Sequence, residues 1–254
     1  VLQAKPVVIA PHVSDLMLFL SGILDDTNFK ISLTTLHIIE QLVGKLREHV
    51  KPHISLVLGT LVTKLGDNKI VIRQASVKLL TEFMALSLPA VLDALETNLA
   101  HANWHVREQC VNGCIALFSK YPATAAEVSE KLLAALAGVL KDTKKRVRQV
   151  AAECFTVLNA MGVQMGAAMA TLDPSVAAGL QERFNSCAGL PRVLDNGYVE
   201  HCVSLDTGGG KRQKSSELLA EPDAVHPRNN SGSTSGAGAS VGPATGVTSG
   251  AKRA

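Results

Sequence analysis

The chain has 254 residues and a formal net charge of +3; 46% of its residues are apolar but only 4% are aromatic. A supply of Leu, Ala and Val with few aromatics favours helices packed on helices over a β-sandwich, whose strands want β-branched and aromatic side chains. The small charge gives no argument for nucleic acid, and no apolar run reaches the roughly 18 residues of a membrane span.

Five scattered cysteines, odd in number and without a secreted-scaffold spacing, read as reduced thiols in a cytosolic compartment. The chain opens on Val1-Leu2-Gln3 with no signal-peptide layout and no initiator Met, which predicts that it begins inside a longer protein.

Along the chain one pattern recurs four times: a Leu, a short polar stretch, and an aliphatic residue seven places on. The copies are Leu24-DDTNFK-Ile31, Leu65-GDNKIV-Ile72, Leu99-AHANWH-Val106 and Leu140-KDTKKR-Val147, at intervals of 41, 34 and 41 residues. Those intervals suit arrays of the HEAT and armadillo kind. Arg73, Arg107 and Arg148 follow the last three copies, and Ser32 follows the first. Pro11, Pro52, Pro89 and Pro122 precede the four leucines, and proline is favoured in a helix's first turn.

Each unit is therefore expected to be a helix opening near Pro, a polar turn after Leu, and a second helix. The predicted helices cover 11–24, 29–47, 52–65, 69–86, 89–99, 103–120, 123–140 and 144–161. In the second helices, Leu33, Leu36, Ile39, Leu42, Val43 and Leu46 form a stripe of helical period, as do Val77, Leu80 and Met84, and Val111, Cys114, Ile115 and Phe118. Asp and Asn in the turns suit the capping of the helix that follows. No single pair can bury its stripe alone, so the pairs must stack into an all-α solenoid of HEAT-like pairs.

The array is read over 1–165. Residues 166–206 are expected to be weakly ordered, with a helix over 175–186 and an ambiguous stretch over 189–206. From Thr207 the Gly, Ser, Thr, Ala and Pro content predicts a disordered tail, 207–254.

The four turns should lie in register along one edge of the stack, because packed helices stand about 8–10 Å apart. That edge gathers basic side chains and the chain's one Trp, a combination suited to a large acidic protein surface. Arg73, Arg107 and Arg148 have a second reading as structural groups that pair with acids or cap carbonyls. Phe29 and Trp104, beside helix starts, have a second reading as packing residues. His101, His105, Cys110 and Cys114 have i, i+4 spacings that invite zinc, but the cysteines fall in the apolar pattern of their helix. There is no glycine-rich phosphate loop, GxSxG or HExxH, and Gly208-Gly209-Gly210-Lys211 has no strand before it. No catalytic activity, metal or cofactor is expected.

At these turns the sequence resembles the TOG domains, the tubulin-binding HEAT arrays of microtubule polymerases, CLASP proteins and ciliary Crescerin proteins. The residues that carry the resemblance are Leu24-DDTNFKI-Ser32, Leu65-GDNKIVIRQ-Ala75, Asn103-WHVREQ-Cys110 and Asp142-TKKRVRQVAA-Glu153. The second is most similar to CLASP and Crescerin domains, Crescerin above all. The resemblance implies a monomeric module of a larger protein that binds αβ-tubulin or the microtubule lattice through its loop edge, and promotes or stabilises polymer. It implies a place in the cytoplasm on microtubules, cilium and axoneme included, and no nucleic-acid or membrane partner. Carried over position by position, it gives Asn28, Phe29, Lys30, Asn68, Lys69, Trp104, His105, Lys144 and Lys145 as contacts, with Arg73 and Arg107 beside them.

TOG domains usually have six repeats. The four clear ones here match the second to fifth, so Val1–Ala10 reads as the end of a missing first repeat and the stretch after 165 as a degenerate extra one. Two other readings compete: a general HEAT scaffold not specific to tubulin, and a lattice-only binder aided by Lys211, Arg212 and Lys214 of the tail.

Overall fold

A computed structural model of the protein describes residues 9–186 and 189–202, the side chains at 126 and 127 excepted. Ten α-helices and one short hairpin lie among the described residues. They are α1 (Val13–Leu24), α2 (Phe29–Val50), α3 (Ser55–Lys64), α4 (Ile70–Met84), α5 (Leu88–Asn98) and α6 (Trp104–Lys120). After them come α7 (Glu130–Val139), α8 (Lys145–Ala160), α9 (Gly166–Ala170), α10 (Pro174–Asn185), β1 (Arg192–Val193) and β2 (Val199–Glu200). The tail read over 207–254, its basic residues and Val1–Val8 lie outside the described residues.

Consecutive helices pair as the sequence predicts: α1 on α2, α3 on α4, α5 on α6 and α7 on α8. First helices then stack on first helices (α1 on α3, α3 on α5) and second on second (α2 on α4, α6 on α8). The stripes meet between the layers: Leu36, Ile39, Leu42, Val43 and Leu46 of α2 are buried, as are Val77, Leu80 and Met84 of α4 and Cys114, Ile115 and Phe118 of α6. Leu33 is only half-buried. Helix α2 runs past its expected end at 47, but Leu46 leaves helical geometry (φ −127°, ψ 30°), so the helix bends at that point. No helix among the described residues is long and apolar enough to cross a membrane.

Two expectations about helix starts need correcting. Pro11, Pro52 and Pro122 do not open the α-helices; they sit in 3₁₀ turns at Ala10–His12, Lys51–His53 and Pro122–Glu127. The missing N–H of Pro is tolerated equally well in such a turn, and the helix proper begins later. After Pro122 the chain breaks to an extended residue, and α7 starts at Glu130 with Ser129 Oγ accepting from Leu132 N (3.1 Å). Of these four, Pro89 alone stands in the first turn of its α-helix.

Beyond Met161 the chain forms another short pair, α9 packing on α7 and α10 on α8. The stretch left ambiguous over 189–206 holds an antiparallel hairpin, Arg192 opposite Glu200 and Val193 opposite Val199. Its loop is a turn closed by Gly197 N donating to Leu194 O (2.9 Å), with Gly197 at φ +84°, a left-handed geometry that only glycine takes without strain.

The strands lie on α6, and the loop reaches α4: a Cβ at Gly197 would be 2.1 Å from Thr81 Oγ1 and 3.2 Å from Val77 Cγ1. Helices α4 and α6 touch each other far less than α2 and α4 or α6 and α8 do, so the hairpin bridges the one weak seam in the second layer. It is anchored behind by Glu153, a buried carboxylate of α8 that meets Arg183 Nη2 (3.4 Å) and His201 Nδ1 (2.6 Å).

Candidate functional site

Each of the four intra-pair turns is built by the same two side-chain devices. In the first, the residue two places after the Leu accepts from the backbone N–H two residues further on. Asp26 Oδ1 accepts from Asn28 N (2.7 Å), Asp67 Oδ1 from Lys69 N (2.7 Å) and Asp142 Oδ1 from Lys144 N (2.8 Å). In the third turn His101 Nδ1 takes the place of the carboxylate and accepts from Asn103 N (3.0 Å). A side chain bonded to backbone two residues on mimics a tight turn and fixes the direction in which the next helix leaves.

The second device closes the turn from the helix side. Arg73 Nη1 donates to the carbonyls of Asp67 (2.7 Å) and Asn68 (3.3 Å). Arg107 Nη1 does the same to His101 (2.7 Å) and Ala102 (3.0 Å), and Arg148 Nη1 to Asp142 (2.6 Å) and Thr143 (3.2 Å). In the first turn Ser32 Oγ reaches the matching carbonyl, Asp26 O, at 3.0 Å. Asn28 and Asn103 add helix caps, accepting from Lys30 N (3.1 Å) and His105 N (3.0 Å). Thus Arg73 and Arg107 sit on the expected edge, but their guanidinium groups are engaged in holding it.

Neighbouring turns are joined in series. Lys64 pairs with Asp25 (3.0 Å), and Lys69 Nζ stands 5.5 Å from the Phe29 ring centre, within cation–π range, linking the first turn to the second. Asn103 Nδ2 donates to Gly66 O (3.4 Å), and a Cβ at Gly66 would come within 2.8 Å of Val106 N, so the second and third turns touch backbone to backbone. Arg107 grips Asp142 with two bonds, Nε to Oδ2 at 2.6 Å and Nη2 to Oδ1 at 3.0 Å, joining the third to the fourth. Beyond that, Lys141 Nζ donates to Thr171 O (3.0 Å), in the turn between α9 and α10.

What faces solvent along this row is close to what the sequence offers. Phe29, Lys30, Asn68, Lys69, Lys144 and Lys145 are exposed. Trp104 is half-buried against the core, and its ring stacks on His105 with centroids 3.6 Å apart and planes at 28°. One part of Trp104 thus packs on the core while another remains at the surface. Arg146 is drawn out of the row to the buried Glu108 of α6.

The sequence reading missed Ile31 and Val71, each about 40% exposed in the first turn of α2 and α4. With Phe29 they give the first half of the row an apolar character that the last half lacks. The signal lies in the spacing: Ile31 precedes buried Ser32 and Val71 precedes buried Ile72, and adjacent residues cannot share one face of a helix.

Electrostatics follow from this packing. Burial raises the Asp142 carboxyl, but the Arg107 hydrogen bond, the Lys144 N–H and the charges of Arg107 and Arg148 outweigh it, leaving the pKa below its usual value. Burial lowers the pKa of His105, the charges of Arg73 and Arg146 add to that, and Glu108 opposes them. Cys110 and Cys114 lie inside α6, where burial pushes both thiols up, Cys114 to about 12. That is the opposite of the thiolate that zinc takes, and His101 Nδ1 is engaged by the turn.

Comparison with known proteins agrees with this architecture. The HEAT family described as the EF3 N-terminal HEAT repeat matches residues 9–155. The human TOG array regulator of axonemal microtubules protein 1 is 34% identical over 216 residues, 80% of this chain and 12% of that protein. A CLIP-associated protein of Arabidopsis thaliana is 28% identical over 142 residues, 55% of this chain and 10% of the relative. The chain thus spans only about a tenth to an eighth of the length of these two relatives.

A solved structure described as the Crescerin TOG domain array that regulates microtubules in the primary cilium superposes with a TM-score of 0.66. It is 35% identical, and the match covers 76% of this chain and 82% of that one. The chain belongs to the HEAT-repeat family and, within it, is a TOG-like array of the Crescerin and CLASP kind.

Proposed function

We propose that this array is a non-catalytic module that binds αβ-tubulin, free or in the microtubule lattice, and promotes or stabilises polymer. The observation that carries this reading is the continuous row of linked turns, which presents Phe29, Lys30, Asn68, Lys69, Trp104, His105, Lys144 and Lys145 on a backbone fixed from beneath. Arg73, Arg107 and the Asn28 side chain hold the turns in shape. Apolar Phe29, Ile31 and Val71 at one end and lysines at the other suit a partner surface that is greasy at one end and acidic at the other.

The named activity of the relatives supports the same reading: one regulates axonemal microtubules and another acts in the primary cilium. The place of action that fits is therefore the microtubule cytoskeleton, with the cilium as the first site to examine. The short α9–α10 pair is read here as a degenerate further repeat that ends the array.

Microtubule co-sedimentation and size-exclusion chromatography with free tubulin test the function. Binding at low salt that weakens as salt rises is expected of a basic edge. No binding to either form at low salt would sink it. A partner that binds equally well after charge reversal at Lys69 and Lys144 would instead mark a general HEAT scaffold.

A further inference from the structure

Between the second and third pairs the array is closed in one layer and open in the other. Helix α3 stacks on α5 in the first layer, and the two turns meet where Gly66 faces the backbone of Val106. Beyond that contact α4 and α6 barely touch. A joint packed along one side and gapped along the other is built as a hinge, free to widen or narrow unless something fills the gap.

The hairpin fills it. Its strands lie on α6, with Val193, Tyr198 and Val199 packed on the core. On the opposite wall Arg73, Val77 and Thr81 recur every fourth residue and so share one face of α4. The tip lies against that face, Gly197 over Val77 and Thr81. Thr81 Oγ1 donates to Val77 O (3.0 Å), which satisfies the hydroxyl and leaves a surface that a backbone can cover. Tyr198 stands within electrostatic reach of Arg73: burial pushes its hydroxyl up to about 12, and the charge of Arg73 opposes the rise. Behind the strands, His201 Nδ1 meets the buried carboxylate of Glu153 on α8 at 2.6 Å, which pins the hairpin in place.

We propose that the hairpin is a wedge that fixes the angle between the two halves of the array, with Tyr198 as its positioning residue, and so sets the step from the second turn of the row to the third. Its effect on binding rests on the reading of the row as a tubulin site; the angle itself does not.

Pulsed electron-spin distance measurements on the full chain test the wedge. Spin labels are carried on keto amino acids at His49 and Asn159, which spares the native cysteines. Both positions are exposed and stand at the ends of α2 and α8 away from the row, where a hinge motion is largest. Tyr198→Ala is expected to shift or broaden the distance by several ångströms and to weaken microtubule co-sedimentation several-fold, at a temperature where circular dichroism shows the chain folded. Tyr198→Phe is expected to match the wild type in both, because the hydroxyl has no hydrogen-bond partner among the described residues. Should Y198A fail to fold, Tyr198→Leu, which keeps an apolar group but shortens it, carries the same expectation. An unchanged distance with only a lower melting temperature would make the hairpin ordinary packing and overturn the proposal, as would an equal shift in Y198F. A shifted distance with undiminished binding overturns the link to the row. If the wild type binds no tubulin while the distance shifts, the tubulin reading fails and the wedge stands.

Discussion

Gly197, at the tip of the C-terminal hairpin, lies so close to Thr81 of α4 that a single added carbon would fall 2.1 Å from its Oγ1. The same residue has φ +84°, so any side chain there meets both a clash and backbone strain. Gly197→Ala should destabilise the array by about 2–4 kcal/mol, measured by urea unfolding. Pairing it with Thr81→Ala should recover the steric share and leave the conformational share. If G197A is as stable as the wild type, the hairpin does not bridge the seam between α4 and α6.

Gly66 makes the equivalent contact between loops. A Cβ there would meet Val106 backbone N at 2.8 Å, and backbone cannot swing aside as a side-chain tip can. Gly66→Ala should therefore separate the second and third turns and weaken tubulin binding together with stability. Gly113→Ala, which meets only the side-chain tip of Leu95 at 2.9 Å, is expected to cost less. Thermal melts of the two variants, side by side, decide the order.

Arg107 and Arg148 staple their turns alike, but only Arg107 also grips Asp142, whose side chain is 6% exposed. Arg107→Ala should cost about 2–4 kcal/mol because it leaves a largely buried carboxylate unpaired, against about 1–2 for Arg148→Ala. With a folded pKa below the ordinary carboxylate value, Asp142 contributes stability that is full above about pH 4 and lost as pH falls through its folded pKa. Asp142→Asn should flatten that acid limb in a series of melting curves. An unchanged limb would refute the assignment.

His105 titrates in the opposite sense to a paired histidine. Its folded pKa is lowered, so the neutral ring contributes fully above its ordinary value near 6.5, and the contribution fades as pH falls through the folded pKa. The melting temperature should drop between about pH 7.5 and pH 5.5. His105→Phe, which keeps a ring beside Trp104, should lose that part of the slope. A steeper slope in the variant would be evidence against it.

For tubulin, Lys69→Glu combined with Lys144→Glu should reduce co-sedimentation at least about tenfold with little change in melting temperature, since both side chains are exposed. Phe29→Ala should act through its loss of area and of the Lys69 contact. Arg73→Ala should lose binding only together with stability, which separates a holding role from a touching one.

Much of this could be read in the sequence. The Leu-to-aliphatic spacing located all four turns because three of them have a buried residue on either side of the polar gap; in the first, Ile31 is exposed and Ser32 takes the buried place. The recurring Asp two places after Leu, and the recurring Arg eight places after, stood in plain view as repeats. What was hidden was equivalence of role: nothing in residue type says that His101 can do the work of an aspartate, or Ser32 that of an arginine.

The hairpin escaped for a different reason. Asn196-Gly197 is a turn signal, but strands of two residues show no alternation to flank it. The partners that order it, Thr81 and Glu153, lie more than forty residues away in the chain.

The paired devices beneath each turn mean that backbone shape and surface chemistry are assigned to different residues. Positions 26, 67, 101 and 142, with 32, 73, 107 and 148, set the shape, while positions 29–30, 68–69 and 144–145 meet the solvent and 104–105 are half-buried. Substitution at the exposed positions leaves the shape-setting side chains in place. Such an edge can change its partner one loop at a time without passing through an unfolded intermediate sequence, as a set of interchangeable tips on a common handle.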